Sequence, residues 1–352
     1  MFIEPIEFIV KPKLLIVELW GLGDLVIATP FIRAAGEKFD IALLAKPYAL
    51  DLQPRLWPDI KVIPFTAPWT AFQNKYHLWR WPLQEMLRLQ KKLTAEQFEF
   101  GLSARWDPRD HLLLKFIGAK NRLGFPRIQS QMFLTQPLPK PSPLSHHYEL
   151  WRVAGQAMGT PLPTRKKIPV PMISSARNLV LLHSGARLPA RVWPLERFRN
   201  LTQRLRAAGH IVQIVCDPDQ SNWWQHSGET TAACPRTVTE LLSFIDHAGI
   251  FIGNCSGPGH LAAINGVPTF TIFGPSLPEW FAPLHPQAEW IEGKACPYKP
   301  CSDYCRFPTP RCLWNVSEAE VWPHVEKFAA VYLLKKVEAE KKTTAGEMTG
   351  AV

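Results

Sequence analysis

The chain has 352 residues, enough for two domains rather than one core. Hydrophobic residues make up 46% and charged residues 20%, a globular balance, and the apolar runs are far too short to span a bilayer. Forty Lys and Arg against 30 Asp and Glu leave a net charge of +10, which favours anionic partners such as nucleotides, phosphorylated sugars, an anionic membrane face or nucleic acid.

Leu14 to Leu19 reads as a short apolar strand ending in Gly21-Leu-Gly-Asp24. A helix follows through residues 31–36, with Thr29-Pro30 as a candidate start that would free Asp24 from capping. Strands are expected at 41–44 and 61–65, a helix at 79–94, a strand at 98–102 and a helix at 112–117 closed by Gly118. Residues 135–144 are proline-rich and extended, and 147–158 form a helix stopped by Gly159. Pro161, Pro163, Pro169 and Pro171 then mark a linker.

The alternation starts again after the linker. A strand at 179–183 runs into Ser184-Gly-Ala, a helix covers 195–208 with Gly209 as its cap, and 211–215 is a strand. A helix is expected at 238–248, strands at 250–252 and 269–273, and a short helix at 260–264 between them. An amphipathic helix at 318–337 ends the ordered chain, and 338–352 has the composition of a solvated, disordered tail. Strand–helix alternation in both halves predicts an α/β protein of two Rossmann-like domains, 1–165 and 175–330, facing across a cleft.

The segment from Gly249 to Pro275 carries most chemistry. Its turn, Asn254-Cys-Ser-Gly-Pro-Gly-His260, feeds a helix and so aims unpaired backbone N–H groups and the positive end of the helix dipole at one spot. Such a spot suits a phosphate or diphosphate, with the Ser256 hydroxyl and His260 imidazole alongside; a turn chosen only for packing is the plain alternative. Cys296, Cys301, Cys305 and Cys312 form a late cluster whose residue type suits a structural zinc, with disulfides or buried free thiols as alternatives. Aromatic–basic pairs such as Trp79-Arg80-Trp81 come without a nucleic-acid-binding motif, so nucleic acid is not an expected partner. The N-terminus, Met1-Phe-Ile-Glu-Pro-Ile-Glu, has two acids and no basic stretch, so a cytoplasmic protein is expected.

Several motifs together resemble glycosyltransferase family 9, the ADP-heptose:lipopolysaccharide heptosyltransferases. They are Leu15-Ile-Val-Glu-Leu-Trp-Gly-Leu-Gly-Asp24 with Thr29-Pro30, Leu182-His-Ser-Gly-Ala186 with Arg191-Val-Trp-Pro194, the Asn254–His260 turn running into Phe273-Gly-Pro275, and the cysteine cluster. Arg122-Leu-Gly-Phe125 is a weaker match, and the similarity runs in order over about residues 14–325. The resemblance implies a GT-B fold, with an N-terminal acceptor-binding domain and a C-terminal nucleotide-sugar-binding domain. It implies inverting transfer without a catalytic metal or other cofactor, from ADP-heptose to a lipopolysaccharide core or related anionic glycolipid. Peripheral contact with the inner face of the membrane is also implied.

In that family Asp24 stands at the general-base position; its plain alternative is an N-cap. Arg191 stands where Lys is usual and would clamp the diphosphate. Gly23, Gly185, Ser256, Gly257, Pro258 and His260 would surround the donor, with Asp219, or Gln220, on the ribose. Arg105, Arg109 and Arg122 would meet an anionic acceptor. Cys255 replaces the family's usual Asp, which leaves the donor open. The alternatives are a GT-B transferase with another nucleotide sugar, and a catalytically silent nucleotide- or glycan-binding protein.

Overall fold

The computed structural model describes residues 10–71, 77–171, 173, 177–301 and 304–333. The tail at 338–352 and the last residues of the helix expected to reach 337 lie outside them. The chain divides into two compact units. One comprises Met1–Pro143 and Tyr148–Leu162, the other Leu144–His147 and Pro163–Val352.

The first unit contains β1 (Lys13–Glu18), α1 (Leu22–Gly36), β2 (Asp40–Ala45), α2 (Ala49–Leu56), β3 (Lys61–Pro64) and α3 (Leu83–Ala95). It continues with β4 (Phe100–Ser103), α4 (Pro108–Ile117), β5 (Asn121–Gly124), β6 (Gln136–Pro137) and α5 (Tyr148–Ala157). The six strands pair in parallel in the order β3-β2-β1-β4-β5-β6. β1 is buried from Leu14 to Val17 on both faces, which is why its sequence is a continuous apolar run rather than an alternation. Pro137 falls on the edge strand, where its missing N–H costs no ladder bond.

The second unit contains β7 (Leu179–His183), α6 (Leu195–Ala207), β8 (Ile211–Val215), α7 (Ser221–His226), α8 (Val238–Ile245) and β9 (Ala248–Asn254). After these come α9 (Gly257–Ile264), β10 (Thr269–Phe273), α10 (Pro278–Phe281), β11 (Ala288–Glu292), α11 (Arg311–Trp314) and α12 (Glu318–Leu333). Its five parallel strands run β11-β10-β9-β7-β8. Trp193, Phe198, Trp224, Phe270 and Phe328 fill the core against this sheet. Segment 144–147 joins this unit because the His147 N–H donates to the Trp280 carbonyl at 3.1 Å, and the His147 ring lies 4.2 Å from that of Phe281.

Chain order reverses beside β1 in the first sheet and beside β7 in the second, so each unit has a switch point at the carboxyl end of its first strand. Several element boundaries differ from expectation. α1 begins at Leu22 and encloses Pro30, so Thr29-Pro30 is not a helix start and Asp24 lies in the first turn. α4 starts at Pro108 because Asp107 caps it, accepting from the Arg109 N–H at 3.0 Å. α8 ends at Ile245 and Ala248 already belongs to β9, while α9 starts at Gly257 and includes the Gly-Pro-Gly stretch. β11 has no apolar alternation to announce it, being an edge strand with three exposed positions of five.

Candidate active site

At the carboxyl end of β1 the chain packs charged groups together. Glu18, 2% exposed, accepts the Trp20 N–H at 3.2 Å. Burial, with the neighbouring Asp24 charge adding to it, pushes the Glu18 carboxyl up to about 8. Asp24 accepts the Gly21 N–H on Oδ2 at 3.2 Å and Arg105 Nη1 on Oδ1 at 2.7 Å. It therefore caps α1 and is paired with a cation at once. The Arg105 guanidinium also lies 4.3 Å from the centre of the Trp20 ring, which fixes its plane. Both members of the ion pair remain about one fifth exposed, so the carboxylate is held without being sealed.

Arg105 reaches this point from the loop between β4 and α4. Its backbone N–H donates to Ser103 Oγ at 3.4 Å, and Ser103 Oγ donates to Asp110 Oδ2 at 3.2 Å. Trp69 Nε1 donates to the other Asp110 oxygen at 3.1 Å, and burial pushes the Asp110 carboxyl up to about 7. The other expected acceptor-binding arginines have local partners. Arg109 binds Asp107 through Nε at 2.8 Å and Nη2 at 2.6 Å. Arg122 donates to the carbonyls of Phe133 and Ala119, both at 2.7 Å, and so closes its own loop. Of the three, Arg105 is placed on Asp24. Gly23 lies in the first turn of α1 beside it.

The second unit builds its turn from neutral groups. Asn254, at the end of β9, donates through Nδ2 to the Ser184 and Gly185 carbonyls at 2.8 and 3.3 Å and accepts the Trp193 N–H at 3.0 Å. One buried amide thus ties the β7 turn, the β9 turn and the Trp193-Pro194 element together. Trp193 is anchored further by its indole N–H on the Val316 carbonyl at 2.8 Å. Arg191 ends a short 3-10 turn, Pro189–Arg191, two residues before it, and is partly buried.

A Cβ on Gly185 would sit 2.4 Å from the Asp217 carboxylate, so a side chain there would have to displace Asp217. Asp217 lies 3.7 Å from His183 Nε2; burial depresses the His183 imidazole and raises the Asp217 carboxyl. Asp219 is exposed on the 3-10 turn after β8. Gln220 is buried and engaged with Ser184, accepting from Ser184 Oγ at 2.8 Å, which corrects its candidacy for the ribose. Ser184 Oγ also accepts the Trp224 indole N–H at 2.9 Å.

α9 opens with Ser256 at its N-cap in extended conformation, then Gly257, Pro258 and Gly259. First-turn N–H groups of a helix have no intrahelical partner, and Pro258 has none to satisfy. The Ser256 hydroxyl oxygen is buried and has no hydrogen-bond partner among the described residues. His260 is buried one turn along, and Cys255 is buried just before the cap. This is a neutral, donor-rich end suited to a diphosphate.

None of the seven cysteines is joined in a disulfide. Among the described residues no group of three or more His, Cys, Asp or Glu is arranged to hold a metal ion, although Cys312 lies within electrostatic reach of Cys296, Cys301 and Cys305. Cys312 is buried on α11, and burial pushes its thiol up to about 11; Cys301 is raised for the same reason.

Sequence reasoning passed over Glu18, Asp110, Asp217 and Asn254. Glu18 and Asn254 did leave a signal, each being a polar residue at the end of an otherwise apolar strand run.

Residues 86–308 match the sequence model of glycosyltransferase family 9 (heptosyltransferase). Lipopolysaccharide heptosyltransferase 3 of Escherichia coli is 31% identical over 107 residues, 28% of this chain and 32% of that protein, so the chain spans about a third of the length of the curated relatives it matches. The fold is that of solved family members. A family 9 glycosyltransferase from Veillonella parvula superposes with a TM-score of 0.73 at 16% identity, covering 90% of this chain and 97% of its own. The E. coli heptosyltransferase WaaC with ADP gives 0.68 at 15%, covering 90% and 99%. The chain belongs to glycosyltransferase family 9, the heptosyltransferase family.

Proposed function

We propose that this chain is an inverting, metal-independent transferase that moves heptose from ADP-heptose to a lipopolysaccharide core or related anionic glycolipid acceptor. The observation that supports it most is the Asp24 carboxylate, oriented by Gly21 and Arg105 at the switch-point end of β1 yet not sealed from solvent. A binding module has no need of an oriented, accessible carboxylate there, whereas an acceptor hydroxyl must lose a proton as it attacks.

In this reading Asp24 takes the proton of the acceptor hydroxyl, and the oxygen attacks the anomeric carbon from the face opposite the leaving group. The bond to the diphosphate breaks, and ADP leaves with the negative charge. Gly257 and Gly259 N–H groups, the Ser256 hydroxyl and the Arg191 guanidinium receive that charge. His260 lines the same turn, and Asp219 is the remaining carboxylate offered to the ribose. Arg105 orients the base in the free protein and is the cation nearest an anionic acceptor.

Thermal shift with a panel of nucleotide sugars tests the donor, because a ligand that binds the native state raises the midpoint by mass action. ADP-heptose is expected to give the largest shift. A shift no larger than that of UDP-sugars contradicts this donor. ADP binding with no ADP-sugar consumed in the presence of truncated core acceptor leaves the chain a binding protein.

A further inference from the structure

We propose that Cys216 and Cys234 are a thiol pair that a small aliphatic disulfide oxidises to a protein disulfide, and that closure weakens nucleotide binding at the turn after β8. The pair itself stands on the fold alone. Its effect on nucleotide rests on the donor reading of the second unit.

The two residues are 18 positions apart, and backbone pairing brings them side by side. Val215, the last residue of β8, forms a parallel bridge with Ala233. The Cys216 N–H donates to the Ala233 carbonyl at 2.9 Å, and the Ala233 N–H donates to the Ile214 carbonyl at 2.9 Å. The next residue on each side of the bridge is a cysteine, and the two thiols lie within hydrogen-bond reach of one another. Paired strands run about 4.8 Å apart, inside the Cα separation of about 4.4–6.8 Å that a disulfide spans. Both side chains join one core cluster, where Cys216 is buried with Trp224 and Cys234 packs on the rim, partly exposed. The segment carrying Cys234 is well held. Arg206 Nη1 binds the two Glu229 oxygens at 2.9 and 2.8 Å, and Gln213 Nε2 donates to the Thr231 carbonyl at 3.0 Å.

Exposure gives the two thiols different parts. The Cys234 thiolate attacks one sulfur of the small disulfide, whose S–S bond breaks and releases one thiol. Cys216 then attacks Cys234 Sγ in the mixed disulfide and expels the second small thiol. Two electrons pass from the cysteines to the small disulfide, and both thiol protons leave on the released thiols. Burial, with Cys234 and Asp217 beside it, pushes the Cys216 thiol up to about 12. The second step is therefore slow at neutral pH, and no stable thiolate favours the reduced pair over the closed one.

Closure reaches the nucleotide side through the chain. Asp217 follows Cys216, lies where a Cβ on Gly185 would be 2.4 Å away, and heads the turn Pro218–Gln220 that carries Asp219. Gln220 in that turn accepts from Ser184 Oγ at 2.8 Å. Drawing the two sulfurs in to about 2.05 Å pulls Cys216 toward Cys234 and moves Asp217 against the Ser184–Gly185 turn.

The full-length protein is equilibrated in buffers of oxidised and reduced glutathione, alkylated, and mapped by peptide mass spectrometry. A linked peptide pair holding Cys216 and Cys234 is expected, two hydrogens lighter than the dithiol and removed by dithiothreitol. Calorimetry should show ADP binding at least about 5-fold weaker in the oxidised form, and saturating ADP should lower the oxidation equilibrium constant by the same factor. Cys234→Ser should keep the ADP affinity of the reduced protein and lose its response to oxidation. Cys216→Ala should leave Cys234 as a lasting glutathione adduct. A wild type in which Cys234 carries only glutathione, links confined to Cys296, Cys301, Cys305 and Cys312, or equal ADP affinity in the two forms would overturn the proposal. A reduced protein that binds no ADP overturns the donor reading and with it the nucleotide effect, while the mapped link reads the pair separately.

Discussion

The ends of β1 and of β7 and β9 occupy equivalent places in two similar sheets, yet they are built from different chemistry. At the end of β1 Asp24 is paired with Arg105 within electrostatic reach of the buried Glu18, and the carboxylate of interest keeps access to solvent. At the ends of β7 and β9 a buried asparagine, a glycine and the first turn of a helix do the work with backbone groups and no net charge. The first arrangement can accept a proton. The second can receive an anion without titrating. A transfer that deprotonates a hydroxyl and expels a diphosphate needs one of each.

The sharpest way to break this contrast is to remove the charge from the β1 end alone. Asp24→Asn keeps an acceptor for the Gly21 N–H but cannot take a proton, so kcat should fall about 10²–10⁴-fold, with ADP affinity within a few fold of wild type. Steady-state kinetics and an ADP thermal shift on the same preparation check both halves. Asn254→Ala attacks the other region. It leaves the Trp193 N–H and two buried carbonyls short of a partner, and should destabilise the protein by roughly 3 kcal/mol in denaturant titration.

A smaller effect is expected from Gly185→Ala. The added Cβ must displace the Asp217 carboxylate, and nucleotide affinity by calorimetry should drop by about 10-fold, equivalent to about 1.4 kcal/mol. A last effect, on stability rather than affinity, is a pH dependence confined to the β1 end. The Glu18 carboxyl has its folded value raised from an ordinary 4.5 to about 8, so the folded chain binds the extra proton between those limits. The stability this contributes is complete below about 4.5 and is lost as pH rises through about 8, at up to roughly 1.4 kcal/mol per pH unit. Glu18→Gln should flatten that part of the stability–pH curve, and an unchanged slope would show that Glu18 does not titrate in this range.

The central strands of both sheets were legible because parallel strands buried on both faces leave apolar runs such as Leu14–Leu19, with glycine turns after them, whereas β5, β6 and β11 toward the edges were not. Helix starts were harder to read. α1, α4 and α9 each begin earlier than expected, since Gly21, Asp107 and Ser256 set the first turn ahead of the stretch that reads as helical. Asp24 and the Ser256–His260 turn stood out because a short polar motif between two apolar runs has few packing roles. Arg105 meeting Asp24, and Asn254 meeting Ser184 and Trp193, join residues 81, 70 and 61 positions apart, and only the folded chain shows these pairings. The four late cysteines were legible as a cluster, and the folded chain adds that Cys312 is buried while the charges of Cys296, Cys301 and Cys305 bear on its thiol.

One assay bears most directly on the central claim that Asp24 is the base of a sugar transfer. ADP-heptose and a heptose-free lipopolysaccharide core are incubated with wild type and with Asp24→Asn, and ADP and the heptosylated product are measured together. The account predicts that wild type forms both in equal amounts, with the anomeric configuration inverted, and that the variant binds ADP but forms neither. Wild-type-like turnover by Asp24→Asn, or a wild type that binds ADP and consumes no ADP-sugar, would contradict it.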